Sequence, residues 1–317
     1  MKILVVGAGA VGSLLGARLA AAGEAVELIG RPEHVRAMRA HGLRVEGTGA
    51  GTFLLEALDS IGSAHAPDAV VLATKTFDLR RGATELGERF PRLVPTLLPQ
   101  NGLDVEEVAS EPLRSASGKD PIPVLVRAVN TIPATLVAPG VVRQAGDGEI
   151  VLRDPARPTP SSAATTVFRD AFHRAGVPVR LVPDLERELW RKALVNAAIN
   201  PVTALHGVPN GRLRETPYRE ESRVLLREAQ RAAEASGFRF SDSEADADLD
   251  RVVRASAQNR SSMLQDRERG RPTEIDAISG ALLRAASAHG IDLPATRAVV
   301  ARLTTVPGDR VDRTQPS

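Results

Sequence analysis

The chain has 317 residues, 43% of them hydrophobic, which is enough for one large or two ordinary domains with well-formed cores. The formal net charge is only +2 and aromatic residues make up 3%, so a basic track with stacking platforms for nucleic acid is not expected. The absence of cysteine excludes a disulfide scaffold, a cysteine nucleophile and a cysteine-ligated metal site.

No segment has the pattern of a signal peptide or a membrane span. The apolar run at the N-terminus, KILVV, ends in glycines and is too short for the hydrophobic region of a signal peptide. No other stretch approaches the ~18 apolar residues that cross a bilayer. We therefore expect a cytoplasmic protein with no membrane or nucleic-acid partner and no metal site.

The first half of the chain alternates short β-rich runs with helical ones. In chain order they are KILVVG, VGSLLGARLAAAG, AVELIG, HVRAMRAHG, LRVEG, GTFLLEA, DAVVLAT, DLRRGATELGERF and TLLPQNG. Strands that alternate with helices predict an α/β domain with a parallel, doubly wound sheet. Residues 121–152 then predict two or three further strands in a mixed extension of that sheet.

The pattern changes after residue 183. A linker-like segment (153–162), a helix (163–176) and a strand (177–182) close the first half. The remainder is nearly all helical in pattern, with predicted helices at 185–199, 219–237, 249–270 and 274–290. We predict a nucleotide-binding α/β domain over 1–183, an all-α domain over 184–306 and a flexible tail over 307–317.

A glycine-rich loop follows the first predicted strand and opens the first helix. Gly7, Gly9 and Gly12 have G-x-G-x-x-G spacing, which in this strand–turn–helix context indicates a dinucleotide site rather than an ordinary glycine turn. The helix N-terminus would offer free N–H groups to the pyrophosphate. The predicted loop comprises Gly7, Ala8, Gly9, Ala10, Val11 and Gly12.

The second strand favours NADP(H) over NAD. An NAD site usually has an acidic residue at the end of this strand, but Glu27 lies inside the strand and Arg31 follows its end. Arginine can pair with a 2′-phosphate, although Arg31 could also be an ordinary solvated loop residue.

Three polar residues recur at intervals of four in the run WRKALVNAAINP. Lys192, Asn196 and Asn200 would share one stripe of a helix in an otherwise apolar setting. With no cysteine, and with His206 lacking an acidic partner placed by sequence, Lys192 is the better candidate proton donor for a reduced carbonyl. Alternatively, Lys192 could extend from a helix edge to solvent, and Asn200 could cap a new helix that begins at Pro201.

Other polar residues could join this stripe. Asn259 and Ser262 are three apart on one predicted helix, and Glu274 begins the last predicted helix, where it could position Lys192 or simply favour the helix dipole. Asn210 precedes Gly211 and could be a turn residue.

Several longer motifs together resemble the ketopantoate reductase (2-dehydropantoate 2-reductase) family. The similarity extends over nearly the whole chain, and its most specific parts lie in the second half. The motifs are GAGAVGSLLGARL, LIGR, ATKTFDL, LPQNGLD, LWRKALVNAAINPVTAL, the following PNG, and RSSMLQDRERGRPTEIDAISG. The segment VLVRAVNTIPATLV and the insertion-like residues 109–121 depart from the family pattern.

The resemblance implies NADPH-dependent reduction of ketopantoate to (R)-pantoate, on the route to pantothenate and coenzyme A. It implies a Rossmann domain followed by a helical domain like that of 6-phosphogluconate dehydrogenase. Lys192 matches the general acid, and Glu274 matches the acid beside that lysine and the cofactor. The implied cofactor contacts are the glycine loop, Arg31, Lys75, Asn101 and Glu274. The implied substrate contacts are Asn196, Asn200, Asn210, Asn259 and Ser262.

Two other interpretations remain open. A reductase or dehydrogenase for another branched 2-oxo or 2-hydroxy acid would use the same residues, and an NADP-sensing protein could keep the fold without turnover. The small-molecule partner is a 2-oxo acid in the favoured interpretation. The sequence does not fix the oligomeric state, and a homodimer is carried as a hypothesis.

Overall fold

A computed structural model describes residues 1–91, 94–117, 124–154 and 160–304. Contacts between Cα atoms divide the chain into a first unit that ends at Leu185 and a second unit that begins at Glu186. Within the described ranges no helix has the length and apolar character to cross a membrane. The predicted tail at 307–317 lies outside the described residues, as do 155–159 of the linker and 118–121 of the insertion-like segment.

Eight strands form the main sheet of the first unit. From one edge to the other they are β12 (Val179–Val182), β11 (Ile150–Arg153), β8 (Leu125–Asn130), β7 (Thr96–Leu98), β6 (Ala69–Leu72), β1 (Lys2–Val6), β2 (Ala25–Ile29) and β5 (Glu56–Leu58). Neighbouring strands are parallel except β8 and β11, which pair antiparallel. The predicted parallel sheet with a mixed extension is therefore confirmed.

Four further strands form a second, smaller sheet. Their order is β4 (Gly51–Phe53), β3 (Leu43–Gly47), β10 (Val141–Gln144) and β9 (Ala134–Ala138). The prediction of one strand for GTFLLEA is wrong, because the chain leaves the small sheet after β4, exposes Leu54 and enters the main sheet as β5. The prediction of two or three strands after residue 121 is also too low, because β9 and β10 leave the main sheet between β8 and β11.

Helices cover both faces of the main sheet. They are α1 (Ala10–Ala21), α2 (Pro32–His41), α3 (Thr76–Arg89), α4 (Val105–Ser117) and α5 (Pro160–Arg174). Alternate residues of β1 belong to opposite cores: Ile3 and Val5 join residues of α1 and α5, whereas Leu4 and Val6 join residues of α3 and α4. The segment interpreted as an insertion therefore contributes a helix, α4, to the core.

Helix α1 is covered on two sides. It packs against β1 and β2 of the main sheet and also against β3, β9 and β10 of the small sheet. Arg18 of α1 donates hydrogen bonds to the carbonyl oxygens of Thr48 and Gly49 and to Oε1 of Gln144 at 2.8 Å. The helix that follows the glycine loop is thus held between the two sheets.

The second unit contains helices and no strand among its described residues. The α-helices are α6 (Leu185–His206), α7 (Tyr218–Ala235), α8 (Asp242–Ala255), α9 (Ser262–Glu268), α10 (Ala281–Ser287) and α11 (Pro294–Thr304). A 3₁₀ turn spans Asn210–Arg214 and a π-helical turn spans Asp276–Gly280. The last helix, α11, was not predicted, and the buried carboxylate of Glu228 accepts hydrogen bonds from its Ala295 and Thr296 amides at 3.0 and 2.7 Å.

Candidate active site

The glycine loop joins β1 to α1 at the carboxyl end of β1, which lies between β6 and β2 in the main sheet. Gly7 has φ +105°, and a Cβ atom there would lie 2.6 Å from the Thr74 amide nitrogen. A Cβ on Gly12 would lie 2.1 Å from the Gly7 carbonyl oxygen. A Cβ on Gly9 would meet no described atom within 4 Å. Gly7 and Gly12 are therefore required by the protein's own packing, whereas nothing in the described protein requires a glycine at position 9.

Gly9 is also the N-cap residue of α1. It provides no side-chain cap, and the first turn of α1 contains no acidic residue. The amide groups of an uncapped helix start and the positive end of the helix dipole attract anions. The remaining loop residues, Ala8, Ala10 and Val11, have small or apolar side chains that add no charge here. This arrangement is suited to binding a phosphate group.

The end of β2 lies directly beside the glycine loop. The amides of Gly7 and Ala8 donate to the Ile29 carbonyl oxygen at 3.1 and 2.7 Å. A Cβ on Gly30 would lie 2.7 Å from that of Ala8. Arg31 follows as the exposed N-cap residue of α2. The first basic side chain after β2 therefore begins close to the glycine loop.

Glu27 is committed to a different contact. It is 6% exposed, and its carboxylate accepts from the His65 amide at 2.9 Å and lies 2.6 Å from His65 Nδ1. Glu56 completes a group in which the carboxylate and ring atoms of all three residues lie within 4.8 Å of one another. Both oxygens of Glu27 thus already contact His65.

Lys75 and Asn101 lie in loops at the same carboxyl edge of the sheet. Lys75 is the half-buried N-cap residue of α3, two residues after Ala73, which contacts the glycine loop. Asn101 is half-buried in the loop after β7. The neighbouring Gln100 donates from Nε2 to the Leu72 carbonyl oxygen at 2.6 Å, so the loops after β6 and β7 are joined.

Sequence reasoning missed Arg127, which lies behind the Asn101 loop. Its guanidinium donates to the carbonyl oxygens of Leu98, Gln100 and Gly102 at 2.8, 2.9 and 2.6 Å. Burial lowers the pKa of Arg127 to about 10, against the opposing charges of Glu106 and Asp104. The signal that could have revealed it was an arginine within the apolar run VLVRAV, because a buried charge requires partners.

Helix α6 carries Lys192, Asn196 and Asn200 on one stripe. Lys192 and Asn196 are half-buried and Asn200 is buried. The suggestion that Asn200 caps a new helix is wrong, because α6 continues to His206 with Pro201 inside it. Proline lacks the N–H that would bond the carbonyl one turn earlier, but the packed helix tolerates this loss.

Side chains next to this stripe fix α6 against α8. Arg191 contacts Asp248 at 2.7 Å and Glu244 at 2.9 Å, and Arg187 contacts the same Glu244 at 2.8 Å. Trp190 stacks on Phe238 with ring centroids 5.9 Å apart. The half-buried Lys192 therefore follows two anchored residues on the same helix.

Asn210 and Asn259 are brought together by backbone pairing. The Asn210 amide donates to the Asn259 carbonyl oxygen at 2.9 Å, and Asn210 Nδ2 donates to Ser256 Oγ at 2.9 Å. Asn210 is only 6% exposed, and its Oδ1 is buried with no partner among the described residues. Asn210 thus keeps one buried hydrogen-bond acceptor that the described protein leaves unused.

The prediction of one helix through Asn259 and Ser262 is wrong. Helix α8 ends at Ala255 and α9 begins at Ser262, so the two residues do not share a helical face. The Ser261 hydroxyl caps α9 by accepting from the Leu264 amide at 3.1 Å and lies 2.7 Å from Thr203 Oγ1 of α6. Polar residues that bond to nearby backbone groups interrupt the helix. Ser262 itself is exposed.

Glu274 is 7% exposed and directly precedes a continuous helical segment, which runs through the π-helical turn Asp276–Gly280 into α10. The Ile278 amide donates to the Glu274 carbonyl oxygen at 3.0 Å, so the expectation that Glu274 begins a helix is confirmed, with a π-helical turn near its start. A buried carboxylate needs donors or a cation to offset its lost hydration. The second unit therefore combines a buried acid, a half-buried lysine and a group of amides, which can serve proton donation and binding of a polar substrate.

Comparisons with known proteins cover both units. The family model described as "Ketopantoate reductase PanE/ApbA" matches residues 3–157, and "Ketopantoate reductase PanE/ApbA C terminal" matches residues 184–306. A 2-dehydropantoate 2-reductase of Halobacterium salinarum is 35% identical over 304 residues, which cover 94% of this chain and 96% of the relative.

Two solved structures share the whole fold. A PanE/ApbA family ketopantoate reductase from Ralstonia eutropha has a TM-score of 0.82 and 30% identity, covering 96% of this chain and 98% of the other. D-mandelate dehydrogenase, solved with NADH and anilino(oxo)acetate, has a TM-score of 0.85 at 23% identity, with coverage of 96% and 98%. At that identity the second comparison supports the fold alone.

Proposed function

Because the chain belongs to the ketopantoate reductase family of oxidoreductases, we propose that it reduces 2-dehydropantoate to (R)-pantoate with NADPH. The reaction would take place in the cytoplasm as a step toward pantothenate and coenzyme A. The chemistry that the nucleotide supplies when bound is hydride transfer to C2 of the 2-oxo acid. The residues of this chain bind the two reactants, orient them and donate the proton.

The glycine loop fits a dinucleotide. A Cβ on Gly9 would point into open space, so a glycine there is useful when a ligand approaches the backbone. The uncapped start of α1 supplies N–H groups for the pyrophosphate through Ala10, Val11 and Gly12. Lys75 and Asn101 are proposed to contact the cofactor from the adjacent loops at the same edge.

The charges around β2 support NADPH over NADH. An NAD site needs a carboxylate that accepts hydrogen bonds from the ribose hydroxyls. Glu27 is buried within the strand, and His65 already contacts both of its oxygens. Arg31, in contrast, is exposed next to the loop, where its guanidinium can pair with a 2′-phosphate.

Lys192 is the proposed general acid. Hydride arrival at C2 turns the carbonyl oxygen into an alkoxide, and the Lys192 ammonium stabilises that charge and donates its proton. The buried Glu274 carboxylate is proposed to orient Lys192 and to contact the cofactor. A cation offsets the cost of burying Glu274, which supports pairing the two.

The observation that carries the choice of substrate is the unused acceptor of Asn210. Oδ1 of this buried amide has no described partner, whereas Nδ2 is bound to Ser256. Ketopantoate has a primary hydroxyl group that can donate to such an acceptor. Asn196, Asn200, Asn259 and Ser262 are proposed to hold the remaining oxygens of the substrate.

A panel of 2-oxo acids tests this function. Consumption of NADPH and of NADH is followed with ketopantoate, with its analogue that lacks the hydroxyl, and with benzoylformate as the 2-oxo acid related to mandelate. We expect the highest kcat/KM with ketopantoate and NADPH, and loss of the hydroxyl should cost about tenfold or more. Preference for the hydroxyl-free acids would assign another substrate, and NADPH binding without turnover would indicate a sensing protein.

The assembly is tested on the same sample. We propose a homodimer, and light scattering with size-exclusion chromatography gives the mass directly. A mass equal to one chain at assay concentration would contradict the dimer without affecting the assignment of the reaction.

A further inference from the structure

Among the described residues of the first unit, Arg127 is the one lysine or arginine that is buried. It is 6% exposed and lies in the middle of β8, with Leu98 of β7 beside it in parallel register. Its Nη1 donates at 2.8 Å to Leu98 O and at 2.9 Å to Gln100 O, and its Nη2 donates at 2.6 Å to Gly102 O. A charged group in a buried strand is costly unless hydrogen bonds or an opposite charge offset its lost hydration, and here three carbonyl oxygens accept from it.

The hydrogen bonds of the Arg127 guanidinium hold the loop that carries Asn101. The accepting carbonyls belong to residues 98, 100 and 102, so the backbone on both sides of Asn101 is tied to one guanidinium. Gly102 has φ +99°, which lets the chain curl around that group. The position of the Asn101 backbone is therefore set by a fork of fixed geometry rather than by a regular strand.

Further hydrogen bonds connect the loop held by Arg127 to the ends of two more strands, β6 and β1. Gln100, held by its carbonyl, donates from Nε2 to Leu72 O at 2.6 Å at the end of β6. The next residue, Ala73, donates its amide to Val6 O at 2.7 Å, directly before Gly7. Consecutive hydrogen bonds thus connect β8 through the loops after β7 and β6 to the glycine loop.

We propose that Arg127 is a positioning residue, which holds Asn101 in register with the glycine loop so that a bound nucleotide meets both. The proposal rests on the proposed function only for the role of Asn101 as a cofactor contact. Its physical part, the immobilisation of residues 99–102 by the guanidinium, is independent of any reaction. Lysine cannot replace the fork, because its single ammonium nitrogen is a compact point charge, whereas two separate nitrogens of Arg127 donate to the three carbonyls.

Hydrogen exchange measures the physical part. In Arg127→Lys we expect faster amide exchange at residues 100–104 of the free protein, with unchanged exchange in α5 and β12. Arg89→Lys is the matched control, because Arg89 also donates to loop carbonyls, those of Gly62 and Ala64, in the same unit. Equal protection of residues 100–104 in wild type and Arg127→Lys would overturn the proposal.

A double-mutant cycle measures the functional part. Arg127→Lys should lower kcat about tenfold to a hundredfold, because misplacing a cofactor contact by ~1 Å has effects of that size, while the Kd for NADPH changes less. In an Asn101→Ala background the same substitution should lower kcat much less, since the residue it positions is gone. Arg89→Lys should have the same small effect in both backgrounds.

The outcomes separate this inference from the proposed function. If Arg127→Lys lowers kcat by the same factor in the wild-type and Asn101→Ala backgrounds, Arg127 has only a structural role. If Arg127→Lys does not fold, Gln100→Met takes its place, because it removes only the hydrogen bond from Gln100 to Leu72. We then expect faster amide exchange at residues 100–104 and a smaller loss of kcat. The proposal fails if Gln100→Met shows neither. If wild type does not reduce ketopantoate, the proposed function fails, while hydrogen exchange in the Arg127 and Gln100 variants still decides the inference.

Discussion

The candidate sites of the two units are built by different means. In the first unit, loop residues are placed by backbone features: the positive φ of Gly7, the close approach at Gly12, and carbonyls that bind the Arg127 guanidinium. In the second unit, the proposed substrate residues are placed by side-chain pairs and by the break between α8 and α9. Backbone requirements restrict residue type, whereas a side-chain network can be assembled in many ways. The comparison predicts that substitutions in the glycine loop and directly after β2 alter nucleotide binding or folding, whereas substitutions on the Lys192 stripe alter the chemical step.

The largest expected effect is that of Lys192→Ala. Removing a general acid should lower kcat by about 10²- to 10⁴-fold, because the alkoxide loses its proton donor. The affinity for NADPH, measured by fluorescence titration, should stay unchanged. Lys75→Ala is the contrasting variant, since it should weaken NADPH binding more than it lowers kcat. Near-normal turnover by Lys192→Ala would contradict the assignment of Lys192 as the general acid, and the proposed contrast between the two units would then be wrong.

Two glycines of one loop provide the next test. In Gly12→Ala the new methyl group would meet the Gly7 carbonyl oxygen, and overpacking of this kind costs about 1–3 kcal/mol of folding free energy. In Gly9→Ala the methyl group meets no described atom, so Tm should not fall. Its NADPH affinity should still fall by about tenfold, or 1.4 kcal/mol, because the methyl group lies where the pyrophosphate would approach. Unchanged affinity in Gly9→Ala would contradict the assignment of this loop as the nucleotide site.

A more selective effect is expected from Arg31→Ala. Loss of a hydrogen-bonded charge pair of about 1.5–3 kcal/mol should weaken NADPH binding by about 10- to 100-fold. NADH binding should be unaffected, since it lacks the 2′-phosphate. Arg36→Ala, an exposed arginine farther along α2, is the control and should change neither affinity. Parallel losses for both nucleotides would show that Arg31 does not read the 2′-phosphate.

The smallest expected effect is a pH dependence of stability that arises at His34. This buried ring accepts a hydrogen bond from the Gly140 amide at Nδ1 (2.7 Å) and lies 3.1 Å from Ser13 Oγ at Nε2. Burial lowers the pKa of His34 below its usual 6.5, with Glu33 opposing the shift. Below pH 6.5 the unfolded chain therefore binds more protons than the folded one. The folded state loses stability as the pH decreases from 6.5 to the folded pKa of His34.

Thermal unfolding between pH 7.5 and 5 measures this effect. The Tm of wild type should fall more steeply below pH 6.5 than that of His34→Gln, which cannot gain the proton. Parallel profiles for the two proteins would mean that His34 titrates alike in the folded and unfolded states.

The sequence was most informative where geometry restricts residue type. Strand β1, the glycine loop and α1 were predicted because a buried strand must be apolar and a tight turn must be glycine. The family resemblance extended the prediction to residues such as Lys75 and Asn101, which no local pattern distinguishes. Their proposed roles await the experiments above.

The wrong predictions share a physical cause, which is that tertiary packing overrides local pattern. Helix α6 continues through Pro201 although proline favours a helix start, because its flanking residues are buried. The run around Asn259 keeps helical periodicity, yet backbone pairing with Asn210 and the Ser261 cap end the helix there. Leu54 was included in a predicted strand although it is exposed, and Arg127 was not singled out because its carbonyl partners lie 25 or more residues away in the sequence.

The two-sided burial of α1 has an evolutionary consequence. With one sheet on each side and Arg18 bound to the small sheet, this helix has few positions at which a new side chain fits. Arg31, by contrast, is exposed two residues past the end of β2. If the proposed sites are right, a lineage with this fold could exchange one coenzyme for another by changing surface residues near position 31, while the frame proposed to bind the shared pyrophosphate stays constant.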